Sequence, residues 1–176
     1  MSDRPFPAMA PVTVRAPARS VVLAPEHLSC MGRGGFRIEP GAARAHVSSC
    51  HRALDRTRRD PQPEAHAVER PWDSEKDAEQ GASLGPIVPH REAGEIDRAA
   101  ISLTRNGTLR RNGRTDPMIL GIDGLLALLS RRFDLRSGDV IPTGTPAGVG
   151  PVAPGDRLAG RVMSIFDLAV QAGAPA

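Results

Sequence analysis

Hydrophobic and polar positions alternate most clearly in the second half of the chain. Residues 100–105 alternate between apolar and polar side chains, and residues 108–111 form a second extended run. Asn106 and Gly107 stand between the two runs. Both residues tolerate positive φ, and this pair is typical of a tight turn between antiparallel strands. The pattern therefore predicts a β-hairpin centred on this pair.

One segment, residues 121–132, has helical rather than alternating periodicity. Its apolar side consists of Leu125, Leu126, Leu128 and Leu129. Arg131 and Arg132 stand at its C-terminal end, where positive charge suits the helix dipole. We therefore expect one prominent helix in this part of the chain.

Short apolar runs separated by turns make up much of the remaining pattern. Strands are predicted at residues 20–23, 140–141, 158–162 and 166–170. Glycine-containing turns are predicted at residues 32–35, 137–139 and 154–156, and a glycine-rich loop at 143–152. Residues 42–56 fit either a helix or a strand, and residues 58–75 are predicted to be a polar loop with one helical turn. Because the predicted strands outnumber the predicted helices, the pattern indicates an α+β fold that is mainly β.

The N-terminal segment differs in composition from the rest. Residues 1–20 are rich in Pro, Ala and Arg and are expected to be poorly ordered, which leaves residues 21–176 as one domain. The chain has no apolar run of membrane-spanning length and no apolar signal-peptide core near its start. The expectation is therefore no membrane association and a cytoplasmic location.

The charge, the aromatic content, the cysteines and the histidines limit the classes of function that the chain can have. The formal net charge is +3, and Lys76 is the one lysine among 23 basic residues. Aromatic residues amount to 3%, which gives few platforms for base stacking and disfavours nucleic-acid binding. Cys30 and Cys50 lack metal-site spacing and are expected to be reduced thiols. The five histidines form no spaced ligand set.

Four segments resemble the fumarylacetoacetate hydrolase family, in that family's order. They are LDRTRRDPQ at 54–62, RPWDSEKDAEQGASLGPIVP at 70–89, NGTLRR at 106–111 and GDVIPTGTPAGVGPVAPGD at 138–156. The fumarylpyruvate hydrolase and acylpyruvase branch is the most similar. The resemblance implies a mixed β-sandwich roll of the family's C-terminal type, incomplete at its N-terminal side because the family's upstream His and Glu have no counterpart here.

The resemblance also implies an activity and a set of site residues. Members cleave a carbon–carbon bond with Mg²⁺ or Mn²⁺ and water, so the expected reaction is hydrolysis of an acylpyruvate such as fumarylpyruvate, in aromatic-compound catabolism. A homodimer is also implied. By position, Asp55 and Glu26 match metal ligands, and Lys76 matches the active-site lysine that would hold the attacking water or oxyanion. The residues matching substrate contacts are Arg59, Gln62 and Thr145.

Several departures from the family pattern weaken this expectation. Segment 26–35 aligns with the family's Glu-x-Glu strand so that Ala24 replaces the first glutamate, which predicts weak or absent metal binding. Pro61 and Pro63 are expected to distort the loop around Gln62, and Pro142 to interrupt a strand. Four of the site residues also have an ordinary alternative: a solvated Asp55, surface positions for Arg59 and Lys76, and a simple turn at Thr145.

Three other functions therefore remain open. One is a decarboxylase or isomerase of the same fold. Another is a truncated, catalytically dead copy. The third is a binding module that pairs with a full-length relative.

Overall fold

The fold is built mainly from β-strands. The computed structural model describes residues 12–15, 21–58, 61–71, 82–144, 150–162 and 165–173. The strands are β1 Val12–Arg15, β2 Val21–Met31, β3 Val47–Arg58, β4 Ala82–Leu84, β5 Val88–Pro89, β6 Ala100–Arg105, β7 Thr108–Arg114, β8 Val140–Pro142, β9 Gly150–Val152, β10 Arg157–Val162 and β11 Ile165–Gly173. The α-helices are α1 Pro40–Ala43, α2 Pro61–Ala67 and α3 Ile122–Ser130, with 3₁₀ turns at Arg44–His46, His90–Glu92 and Ile96–Arg98.

The strands form two sheets. The first sheet has the order β1-β11-β10-β6-β7, with β1 parallel to β11 and the other pairs antiparallel. The second has the order β4-β3-β2-β8, with β5 also beside β3 and β9 also beside β2. The prediction of an α+β, mainly β fold of mixed sandwich type is confirmed.

Side chains from β3 join the two sheets. Leu54 on β3 packs in one buried cluster with Leu158 of β10 and Leu168 of β11. Arg52, also on β3, is buried and donates a hydrogen bond from Nη1 to the carbonyl oxygen of Gly160, at 2.8 Å. Residues 52 and 54 share one face of the strand because side chains alternate. That face of the second sheet therefore lies against the first sheet.

The predicted helix is present as α3, but its buried side differs from the expected one. Ile122, Leu126, Ala127 and Ser130 are buried, whereas Leu128 is 46% exposed. Ser130 is tolerated in the core because its hydroxyl accepts a hydrogen bond from the Ile38 N–H at 2.8 Å and donates one to the Ala127 carbonyl at 3.0 Å. The leucine run therefore identified the helix correctly but assigned Leu128 to the wrong side.

The predicted hairpin is confirmed. Asn106 and Gly107 join β6 to β7 with φ values of 51° and 78°. The Asn106 amide also donates to Asp156 at 2.7 Å and accepts from the Arg157 N–H at 2.8 Å. Asn106 therefore forms the hairpin turn and also holds the first residue of β10 in place.

Three segments differ from their sequence-based interpretation. Residues 42–56, left open between helix and strand, divide among α1, a 3₁₀ turn and β3. The predicted polar loop contains α2, and Pro61 opens that helix at the position where the ring is best tolerated. Within the segment expected to be poorly ordered, Val12–Arg15 form β1, which pairs with β11.

The proline expected to interrupt a strand lies at the end of one instead. Pro142 is the last residue of β8 and is in register with Leu28.

None of the helices in the described residues is long and apolar enough to cross a membrane.

Candidate functional site

The β2–β3 ladder places two of the predicted metal ligands on one face. Ala24 is in register with Asp55, and Glu26 with Ala53. Residues in register across an antiparallel pair share a face, as do alternate residues along a strand. Positions 24, 26, 53 and 55 therefore share one face, which is opposite to the face of Leu54 that meets the first sheet. Asp55 is half-buried, and for Glu26 the structure describes the backbone.

The outer edge of β2 is interrupted beside these positions. Pro142, the end of β8, is in register with Leu28, and Gly150, the start of β9, with Leu23. Within the described part of the chain, residues 24–27 have no ladder partner on this edge. The connection between the two strands leaves at Gly144, with φ of 88°, and returns at Gly150. Its two ends therefore flank the level of Glu26.

On the other side of the ladder, β4 reaches the level of Asp55. Ala82 is in register with Asp55, and Leu84 with Ala53. Gln62 is the second residue of α2, which begins shortly after β3 ends. Its side chain is half-buried. Lys76, Arg59 and Thr145 lie outside the described residues, so their predicted roles stay predictions.

The described donors fall short of a three-carboxylate metal site. No group of three His, Cys, Asp or Glu side chains that could hold a metal ion occurs within the described residues. The position opposite Asp55 is an alanine, which offers no ligand. Two carboxylate positions on one face suit a hard cation that keeps several waters, as Mg²⁺ commonly does. Metal binding by Asp55 and Glu26, and the low affinity expected from Ala24, therefore stay predictions.

A buried cation follows Asp55 in the chain. Arg56 is 6% exposed, and its Nε and Nη2 atoms have no hydrogen-bond partner in the described structure. Burial lowers the pKa of Arg56 to about 10, and the negative charge of Asp55 partly opposes this shift. The charge of Arg56 is thus poorly compensated on the inner face of the sheet.

His51 is a site candidate that the sequence reasoning missed. It stands on β3 in register with Leu28, four residues before Asp55 and on the same face. The side chain is 6% exposed, and neither ring nitrogen has a hydrogen-bond partner within the described residues. Counting alternate positions back from Asp55 would have found it, but the sequence left open whether this segment was a strand.

Two other described histidines have evident structural roles. His46 is buried, and its ring nitrogens contact the Arg33 carbonyl at 3.0 Å and the Arg33 guanidinium at 3.1 Å. The Nδ1 atom of His90 lies 3.9 Å from the Cys50 sulfur. Burial raises the pKa of Cys50 to about 11, which keeps this thiol protonated at neutral pH. His51 differs from both in having a buried ring with no contact of this kind.

Comparisons with known proteins agree with this fold. Residues 7–171 match the family model of the fumarylacetoacetate (FAA) hydrolase C-terminal domain. A fumarylpyruvate hydrolase from Ralstonia sp is 36% identical over 148 residues, covering 84% of this chain and 77% of that protein. The Escherichia coli oxaloacetate tautomerase YcgM is 40% identical over 107 residues, covering 60% and 49% of the two chains.

A solved structure of a fumarylpyruvate hydrolase has the same fold as this chain. The fumarylpyruvate hydrolase from Pseudomonas aeruginosa, in complex with Mn²⁺ and pyruvate, superposes with a TM-score of 0.87 at 33% identity. The match covers 93% of this chain and 70% of that one. The matched family model, the sequence relatives and the shared two-sheet architecture lead to one assignment. This chain belongs to the fumarylacetoacetate hydrolase family.

Proposed function

We propose that this chain hydrolyses an acylpyruvate such as fumarylpyruvate, using a weakly held Mg²⁺ or Mn²⁺ ion. The observation that carries the proposal is the ladder register that brings Asp55 and Glu26 to one face of β2 and β3. Two relatives named as fumarylpyruvate hydrolases support it, one of them solved with Mn²⁺ and pyruvate. The substrate is a small keto acid.

The chemistry follows from the substrate's two carbonyl groups. A bound cation would polarise these oxygens and stabilise the enolate that leaves, and Asp55 and Glu26 would hold it. Water adds to the acyl carbonyl carbon, and the bond from that carbon to the CH₂ group breaks. The bonding electron pair passes to the pyruvate enolate, which then takes a proton at carbon. The products are an acyl carboxylate and pyruvate.

The remaining candidate residues would bind and orient the reactants. Lys76 supplies a compact ammonium group that can hold the attacking water or balance the developing oxyanion. Arg59 can pair with the pyruvate carboxylate through two hydrogen bonds, and Gln62 and Thr145 add polar contacts. Because Gln62 lies at the start of α2, we infer that the pyruvate end of the substrate lies beyond Asp55, in the direction of α2. It leaves the acyl end over the middle of β3.

Assembly and location belong to the same proposal. We infer a homodimer, as the family resemblance implies, and a cytoplasmic location, as expected from the sequence. Sedimentation of the purified protein across a concentration series would test the first. Fractionation of the source cells would test the second.

A second candidate function is tautomerisation of oxaloacetate. The 40% identity to the E. coli tautomerase favours it. Moving a proton between carbon and oxygen needs a polarised carbonyl but no attacking water. A site that binds the keto acid weakly would therefore still be able to catalyse the tautomerisation. A third candidate, an inactive copy, is favoured by Ala24, which leaves Asp55 without a carboxylate opposite it.

The decisive experiment follows the absorbance of fumarylpyruvate with and without added Mn²⁺, on protein shown to be monodisperse. A parallel assay follows the enol absorbance of oxaloacetate. Hydrolysis that depends on Mn²⁺ and is lost in Lys76→Ala and Lys76→Arg supports the proposal, with Arg91→Ala as an exposed control. Turnover confined to oxaloacetate supports the tautomerase. No turnover of either substrate by well-folded protein supports the inactive copy.

A further inference from the structure

The His51 ring on β3 is buried without a hydrogen-bond partner among the described residues. Buried polar groups in folded proteins are nearly always hydrogen-bonded, because leaving one unpaired costs about 1–3 kcal/mol. At 6% exposure the ring cannot rely on bulk water, and both nitrogens are without a partner in the described structure. Such a group therefore suggests a partner that arrives with a ligand.

The strand fixes where that ligand would lie. His51 and Ala53 occupy the face shared with Asp55, and Ala53 is in register with Glu26. Two residues along a strand span about 7 Å, so the imidazole stands about that far beyond the level of Glu26. Ala53 between them carries only a methyl group. The acyl end of an acylpyruvate held at Asp55 and Glu26 would extend along this line.

We propose that His51 recognises a carboxylate at the far end of the acyl group, so that this site prefers dicarboxylic acylpyruvates to those with an apolar acyl group. The proposal rests on the proposed function for the position of the pyruvate end. An imidazole N–H is a hydrogen-bond donor and a carboxylate oxygen accepts it. A four-carbon fumaryl group covers the distance from the level of Glu26 to His51. An apolar acyl group would leave the buried donor unpaired.

The first test measures binding without catalysis. Fumarate is titrated into the full chain labelled with ¹⁵N-histidine, and crotonate, which has the same carbon skeleton but one carboxylate, is the matched probe. We expect fumarate to shift the His51 ring resonances and to bind about ten-fold more weakly to His51→Leu. His90→Gln is the control histidine variant. Unchanged His51 resonances, or equal binding of fumarate to His51→Leu and to the unaltered chain, would overturn the proposal.

The second test compares substrates by steady-state kinetics. In His51→Leu, the KM for fumarylpyruvate should rise about ten-fold, whereas the KM for acetylpyruvate should change less than about two-fold. His51→Gln, which keeps an N–H donor, should recover part of the fumarylpyruvate KM. If His51→Leu does not fold, the comparison is made with His51→Met, which also lacks an N–H donor. Equal effects on both substrates would contradict a role in recognising the distal carboxylate.

The two tests separate this inference from the proposed function. If no keto acid is turned over but fumarate still shifts the His51 resonances, the hydrolase proposal fails while the carboxylate site stands. If fumarylpyruvate is hydrolysed equally well with and without His51, the hydrolase proposal stands and this inference fails.

Discussion

Ala24 and Asp55 lie directly opposite each other in the β2–β3 ladder. A carboxylate at position 24 would share its face with Asp55 and with Glu26. We therefore expect Ala24→Glu to tighten Mn²⁺ binding by on the order of ten-fold or more, because affinity for hard cations rises with the number of anionic ligands. Calorimetric titration of the unaltered chain and the variant measures the change.

Ala24→Gln is the matched control for this substitution. It has the shape of glutamate without the negative charge, and should bind Mn²⁺ much more weakly than Ala24→Glu. Tight binding by the unaltered chain would contradict the view that the cation site is depleted. Equal affinities for the Glu and Gln variants would show that position 24 does not face the ion.

Arg56 should lower the stability of the fold. Its guanidinium is 6% exposed, and two of its nitrogens lack partners in the described structure. Arg56→Met removes this buried charge and keeps much of the apolar stem, so the free energy of unfolding should rise by about 1–3 kcal/mol. Guanidinium chloride denaturation at pH 8 measures it, with the exposed Arg110→Met as control. A less stable Arg56→Met variant would show that the guanidinium has a partner.

The effect of Arg56 should depend on pH in the alkaline range. Burial lowers the pKa of Arg56 to about 10 in the folded chain, below its ordinary value in the unfolded chain. Between these two pH values the unfolded chain binds more protons than the folded chain, so stability rises with pH. The advantage of Arg56→Met should therefore be full below pH 10 and shrink towards pH 12. The denaturation midpoints of the unaltered chain and of Arg56→Met are compared at pH 8 and at pH 11. Because the two proteins share every other titrating group, the change in their difference reports the titration of Arg56.

Ser130 should be sensitive to removal of one oxygen atom. Its hydroxyl is fully buried and accepts the Ile38 N–H at 2.8 Å. Ser130→Ala leaves that N–H without its partner, and the free energy of unfolding should fall by about 1–3 kcal/mol. Ser137, whose hydroxyl bonds the Gly32 carbonyl from an exposed position, provides the control variant Ser137→Ala. Equal losses in both variants would indicate that burial does not amplify the effect.

The two cysteines should differ in reactivity. Burial raises the pKa of Cys50 to about 11, so at pH 8 only about one thiol in a thousand is the reactive thiolate. Cys30 is only partly buried. Native protein treated with iodoacetamide at pH 8 should therefore be alkylated at Cys30 first, and Cys30→Ser should be nearly inert until denatured. Rapid labelling of Cys50 in that variant would mean that the β3 region opens easily.

Local patterns in the sequence predicted local elements well. The hairpin depends on the backbone freedom of Asn106 and Gly107, and the helix α3 on a dense leucine run, so both could be recognised without knowing their neighbours. The exposure of Leu128 could not be anticipated, because it depends on where the Ile38 segment contacts Ser130.

The strand β3 shows why the rest was harder to predict. Most of its residues are buried on both faces, so the alternation that identifies a half-exposed strand is absent. Arg52 and Arg56 add to the difficulty, because charged side chains are seldom placed in a core by sequence reasoning. Asp55 and Glu26 were found through family resemblance, and the ladder then explained why they share a face. His51 could be identified only once this segment was known to be a strand.

The strands β8 and β9 pair with β2 independently of each other, so the length of the connection between them can change. Each strand is held by its own hydrogen bonds, to residues 28–30 and 21–23 respectively, so insertions or deletions between positions 144 and 150 need not disturb either pairing. The place of each strand in the sheet is therefore set by β2 and not by the number of residues between β8 and β9.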